Sequence, residues 1–146
     1  MTEQSTQSIL IDAPPAVVMS VIADFESYRQ WASSLKKVEV LELGADGRAR
    51  RVAFTLDAGV IRDQYELTYR WDGDRKVEWT LTSGQMMRAQ EGSYTLAPHA
   101  DGTHVTYSLS VDLIFPMLGT LKRKGERIVM DQALKELKKH IESSRQ

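Results

Sequence analysis

The sequence predicts an α+β fold: a curved antiparallel sheet of six to seven strands wrapped around a long C-terminal helix, with two short helices after the first strand. Three observations predict it. Apolar residues recur at three- and four-residue steps from Val17 to Phe25, the period of an amphipathic helix. From Leu35 to Leu113 the period is two, interrupted by glycine–aspartate turn signals at hairpin spacing, which marks antiparallel strands with one wet face. Beyond Pro116 the helical period returns and continues towards the chain end.

The elements follow in order. Ser8–Ile11 is a short apolar, β-branched run read as the first strand. Pro14 and Pro15 suit the first turn of a helix, and Asp12 is placed to accept from the orphan amides there. Val17, Val18, Val21, Ile22 and Phe25 give that helix its apolar face, and Asp24 opens a second, shorter helical segment carrying Phe25, Tyr28 and Trp31. Val38 and Val40, then Leu41 and Leu43, alternate with glutamates before the Gly44-Ala45-Asp46-Gly47 turn. Val52, Phe54 and Leu56 form the next face. Tyr65, Leu67, Tyr69 and Trp71 alternate with polar residues up to the Asp72-Gly73-Asp74 hairpin turn. Val77, Trp79 and Leu81 continue the sheet, then Met87–Ala97, with Gly92 a bulge or a close contact. Asp101-Gly102 leads into Val105, Tyr107, Leu109 and Val111. Leu118, Leu121, Gly125, Ile128, Val129, Ala133, Leu137 and Ile141 mark the last helix, widened by Met130 and Leu134, and a span from Gly119 to Glu142 is roughly 35 Å long.

Composition narrows the possible functions. The 146 residues carry 19 basic and 20 acidic side chains, a net charge of -1, which argues against nucleic acid as the main partner. There is no cysteine, so disulfides, thiolate nucleophiles and thiolate metal sites are excluded. No apolar run approaches the roughly 18 residues of a membrane span. The polar start, MTEQSTQS, lacks a signal region, so a cytoplasmic, single-domain protein spanning residues 1–146 is expected.

One helix, roughly 10 Å across, cannot fill the concavity of a curved sheet. A cavity between helix and sheet is therefore expected, lined by Phe54, Tyr65, Tyr69, Trp79, Tyr94 and Tyr107, and such sites usually measure about 300–1,000 Å³. The alternative is a dry core of close-packed rings.

The chain resembles the START-like, helix-grip (SRPBCC) superfamily, in its polyketide cyclase/dehydrase and lipid-transport branch. The resemblance rests on Ile11–Pro15, on Asp24–Tyr28 with Trp31, on Lys37–Glu42, on Glu91–Leu96 and on the closing helix, and it covers essentially the whole chain. It implies a sheet gripping a C-terminal helix around a hydrophobic cavity. Relatives include aromatic polyketide cyclases, lipid carriers, ubiquinone-binding proteins and a ribosome-association factor. The matching segments specify architecture rather than catalysis, so function follows only weakly from them.

Candidate chemistry is sparse. Arg88 and Gln90 share strand parity with Tyr94 and point inward unless a bulge at Gly92 turns them to solvent; inward, the arginine could bind a carboxylate or polarise a carbonyl. Asp63 shares parity with Tyr65. It is either a desolvated general acid or base or a strand-end carboxylate in water or paired with an arginine. The tyrosine hydroxyls could orient a ligand carbonyl or be satisfied within the protein. Phe115 and Met117, with Leu118, form a gate or a dimer contact, and Leu121 and Gly125 border the cavity from the helix. His99 and His104 flank a turn without the further ligands that a metal site needs, and no metal or cofactor is expected. Lys122, Arg123 and Lys124, with Arg127, oppose the helix dipole; they face anionic lipid or a ribosome, or are simply solvated.

The expected function is binding or transport of a lipid, isoprenoid or polyketide-like molecule by a monomer or weak homodimer. The alternative is a polyketide cyclase or dehydratase acting in the same cavity through Arg88, Asp63 or a tyrosine.

Overall fold

The elements run β1 (Ser5–Ile11), α1 (Pro15–Ala23), a 3-10 helix (Phe25–Gln30), β2 (Leu35–Leu43), β3 (Ala49–Asp57), β4 (Arg62–Asp72), β5 (Lys76–Gly84), β6 (Met87–His99), β7 (Gly102–Leu113) and α2 (Gly119–Ser144). They are taken from a computed structural model that describes residues 4–57, 59, 62–114 and 119–144. The strands form one antiparallel, curved sheet in the order β1-β7-β6-β5-β4-β3-β2. Strands β2 to β7 are a meander, and β1 closes onto β7, Ser5 opposite Leu109 and Ile11 opposite Thr103. That pairing extends β1 three residues before the predicted Ser8, because the long β7 offers a partner that local β-propensity cannot reveal.

Alternation places Val52, Phe54 and Leu56 of β3, Tyr65, Leu67 and Tyr69 of β4, and Val105, Tyr107 and Leu109 of β7 in the interior. In β2 the apolar alternation slips between Val40 and Leu41, and the register against β3 shifts at the same place. A one-residue slip of this kind exchanges the two faces of a strand.

The helix ends depart from expectation. The cap of α1 is Pro14, with no side-chain bond, while the backbone N–H of Asp12 donates to Glu142 Oε2 at 2.9 Å. Asp24 opens the 3-10 helix through its carbonyl, which accepts from Ser27 N at 3.1 Å, and not through its carboxylate.

Helix α2 runs alongside β1 and β7. Its buried stripe is Gly125, Glu126, Met130, Leu134, Leu137 and Ile141. Each large apolar side chain in that stripe contributes roughly 1.5–3 kcal/mol on burial. The first half of the helix is therefore turned from the predicted phase: Leu121 and Ile128 are 45% and 40% exposed, and Glu126 is 1% exposed. Counting back four residues from Met130 reaches Glu126, so the apolar spacing held the answer, but a carboxylate at an inward position runs against hydropathy. Glu126 is tolerated because Ser5 Oγ donates to Oε1 at 2.9 Å and Val111 N to Oε2 at 2.8 Å. Val111 lies past the Ser5–Leu109 pair, and the carboxylate satisfies its N–H there.

Candidate functional site

The space between α2, the 3-10 helix and the inner face of the sheet is lined by Tyr28, Trp31, Ala32, Ser34 and Leu35 on one side. Phe54, Tyr65, Leu67, Tyr69, Trp79, Gln90, Tyr94 and Tyr107 line it from the sheet, and Val129, Ala133 and Glu136 from α2. The aromatic residues come from strand parity. Tyr65 lies opposite Phe54, Tyr69 opposite Trp79, and Tyr94 opposite Tyr107. Their rings form a connected cluster, with centroids 5.8 Å apart for Tyr69 and Trp79, 5.3 Å for Trp79 and Tyr94, and 4.6 Å for Tyr94 and Tyr107.

Gly92 is the close contact and not the bulge. It pairs in register with Trp79 and Leu109, and an added Cβ would lie 2.3 Å from Trp79 Cε2. The indole lies against the bare glycine and its Nε1 donates to Gln90 Oε1 at 2.9 Å. The cavity encloses about 90 Å³. This is less than the volume that the curvature argument predicted, because the inward rings occupy much of the concavity. Apolar cavities of about 150 Å³ hold a benzene-sized guest, so even a guest of that size requires the walls to part.

Burial pushes the phenols of Tyr65, Tyr69, Tyr94 and Tyr107 well above the usual tyrosine range, with neighbouring phenols adding to the effect at the first three. They stay protonated at physiological pH and act as hydrogen-bond donors, not bases. Tyr28, also raised by burial, donates to the carbonyl of Ile22.

The remaining predicted residues divide clearly. Phe54, Tyr65, Tyr69, Trp79, Gln90, Tyr94 and Tyr107 are brought together on the cavity. Arg88 is exposed: the register shift lies between Met87 and Ala89, not at Gly92, and it turns Arg88 outward while leaving Gln90 inside. Leu121 is exposed, and Gly125 is buried but does not border the cavity. Phe115, Met117 and Leu118 lie outside the described residues. Asp63 is buried, and its carboxylate accepts from the backbone N–H groups of Gln85, Met86 and Met87 at 2.9, 3.0 and 2.8 Å. It therefore fastens the β5–β6 turn. Lys122 pairs with Asp112 at 3.2 Å, while Lys124 and Arg127 are exposed. Among the described residues no group of three metal-ligating side chains converges, and no helix is long and apolar enough to cross a membrane.

Sequence reasoning missed the wall facing the sheet. Ser33 N donates to the Glu136 carboxylate at 3.2 Å, Ser34 Oγ to Gln132 Oε1 at 2.9 Å, and Gln132 Nε2 to Ser33 Oγ at 2.7 Å. Trp31 stacks on His140 at 6.0 Å. These bonds, exposed at Ser33 and part-buried at Ser34, border the cavity where the segment after the 3-10 helix meets α2.

Residues 2–142 match the family described as polyketide cyclase/dehydrase and lipid transport. No curated protein matches the chain. Among solved structures, a START superfamily protein from Mycobacterium smegmatis is similar at a TM-score of 0.90 and 20% identity, over 96% of this chain and 97% of that one. A protein from Thermus thermophilus has a TM-score of 0.82 at 23% identity, over 99% and 100%. The Zhui aromatase/cyclase from a Streptomyces species has 0.85 at 13% identity, over 100% and 97%. At these identities the likeness establishes the fold alone.

Proposed function

Since the chain belongs to the polyketide cyclase/dehydrase and lipid-transport family, a family of hydrophobic-ligand binders, we propose that it binds and carries a hydrophobic small molecule between the sheet and α2 without transforming it. The observation that carries this reading is a lining that, among the described residues, pairs aromatic walls with a single carboxylate, Glu136, which accepts from Ser33 N, and with no partnered acid–base set. Asp63 is committed to three backbone N–H groups, Arg88 is exposed, and the phenols are held protonated. General acid–base catalysis needs a group that exchanges protons near the working pH. The guest enters where Ser33 and Ser34 meet Gln132 and Glu136, because the bonds there, exposed at Ser33 and part-buried at Ser34, exchange with water at small net cost.

Tryptophan emission, with Trp31 and Trp79 both on the cavity, tests the binding. Saturable 1:1 quenching by 2-naphthol or dodecan-1-ol is expected, and Ala133→Phe, which sends a ring into the cavity, should weaken it at least tenfold. If neither probe binds, or Ala133→Phe binds equally well, the cavity is not the site.

A second reading, cyclisation or dehydration of a polyketide, is favoured only by phenol donors able to polarise a carbonyl. Should a ligand co-purified from the native host be converted on incubation, catalysis replaces carriage. Asp63→Asn is expected to cost about 1–2 kcal/mol in thermal unfolding and to leave probe affinity within twofold.

A further inference from the structure

Helix α2 carries its charges differently in its two halves. In the second half, acidic and basic side chains pair one turn apart, Lys135 with Asp131 at 2.9 Å and Lys138 with Glu142 at 2.7 Å. From Gly119 to Met130 the chain supplies four basic residues and one acidic residue, Glu126. Glu126 is turned into the core, where it serves Ser5 and Val111. The outward face of this half therefore has no carboxylate of its own. Lys122 is offset by Asp112 at 3.2 Å, whereas Lys124 and Arg127 are exposed and make no ion pair among the described residues. Unpaired cations in the first turns of a helix oppose its dipole, so they do not serve the helix itself.

Apolar side chains are interleaved with these charges. Leu121 and Ile128 are 45% and 40% exposed, and their seven-residue spacing puts them on one face, two turns apart. Lys124 lies between them on that face. The Lys122–Asp112 pair holds this end of the helix beside the end of β7, which is followed by the exposed Ile114. Ile114 N in turn donates at 2.9 Å to the carbonyl of Met86, exposed in the β5–β6 turn. Four of the six large apolar side chains exposed among the described residues thus lie on or beside the first half of α2. A merely solvated basic face has no use for them. A nucleic acid would engage the cations and leave Leu121 and Ile128 without a role.

We propose that the first half of α2, with the adjoining Ile114 and Met86, is a docking face for an anionic lipid bilayer. Lys124 and Arg127 meet the headgroup charge, and Leu121 and Ile128 enter the boundary with the acyl region. Each basic residue near such a surface strengthens binding roughly fivefold. So few anchors give reversible attachment, far short of an inserted helix. Val129 and Ala133, which line the cavity from the same helix, follow closely on Ile128, so docking sets the cavity close to the bilayer.

Cosedimentation with vesicles tests this. Vesicles of phosphatidylcholine with phosphatidylserine should bind the protein roughly tenfold or more tightly than phosphatidylcholine alone at about 0.1 M salt. Lys124→Gln with Arg127→Gln should weaken that binding by roughly tenfold or more. Leu121→Ser with Ile128→Ser should weaken it by about threefold or more. All four positions are exposed, so thermal unfolding of both double variants should match wild type, which separates lost docking from lost fold. Absence of binding to either vesicle, equal binding to both, or binding that survives both pairs of substitutions would overturn the inference. So would tighter binding to poly(U) RNA than to the anionic vesicles, unaffected by the serine substitutions, since the face would then contact nucleic acid.

Discussion

Along β1 and β7, helix α2 is fixed by buried groups: Met130, Leu134, Leu137 and Ile141 lie in the core, and Glu126 ties it to Ser5 and Val111. At the other end of the same flank, Lys138 Nζ reaches Leu10 O at 2.7 Å, and Glu142 takes the N–H of Asp12. Along the 3-10 helix and the start of β2, the polar bonds and ring contact of the helix run from Gln132, Glu136 and His140 to Ser33, Ser34 and Trp31. The first flank is held by the buried apolar stripe and by Glu126, with exposed bonds only at its far end, and the second borders the cavity. Apolar burial and enclosed hydrogen bonds are costly to open, whereas exposed polar bonds are not. The difference assigns anchorage to the first flank and access to the second.

The contrast can be broken by substitution, beginning with the strongest expected effect. Leu137 is fully buried, so Leu137→Ala should lower stability by about 2–5 kcal/mol in chemical denaturation; a loss below about 1 kcal/mol would mean the anchored flank is loosely packed. Glu126→Ala strands Val111 N and Ser5 Oγ and should cost about 1–3 kcal/mol, with Glu126→Gln milder because it keeps one acceptor oxygen. Equal effects of the two would show that the bonds do not matter.

On the access flank, Gln132→Ala should change stability by no more than about 0.5 kcal/mol, yet speed both association and dissociation of 2-naphthol in stopped flow. Unchanged rates would move the entrance elsewhere. The smallest effect belongs to Glu142. A hydrogen bond from Lys138, then the N–H of Asp12, hold its pKa below the ordinary 4.5. A depressed carboxylate stabilises the fold fully above its unfolded value and loses that contribution as pH falls through its folded value. The melting-temperature gap between wild type and Glu142→Gln should therefore be present at pH 7 and shrink towards pH 3. A gap that grows on acidification would contradict the assignment.

The sequence carried the sheet and the cavity lining well, because both depend on period two. Val52, Phe54, Tyr65, Tyr69, Trp79 and Tyr107 are buried, and the predicted C-terminal helix is present over Gly119–Ser144. Gly92 was legible as a strand glycine requiring a reason, although only the structure shows the indole lying on it. The carboxylates were not legible. Asp63 serves amides 22 to 24 residues away and Glu126 one 15 residues away, which no local pattern encodes. Arg88 was misplaced because parity counting assumes an unbroken register, and the shift between Met87 and Ala89 violates it. The polar access flank carries no periodic signal at all, since Ser33 and Ser34 act mainly through short side chains and a backbone amide.

Joining the two flanking walls tests the central claim most directly. The chain has no cysteine, so Ser34→Cys and Gln132→Cys can be bridged selectively by a short, cleavable thiol crosslinker. The bridged protein should take up 2-naphthol at least tenfold more slowly than the same variant unbridged, and cleavage should restore the rate. Uptake at an unchanged rate with the bridge intact would show that guests do not pass between the 3-10 helix and α2.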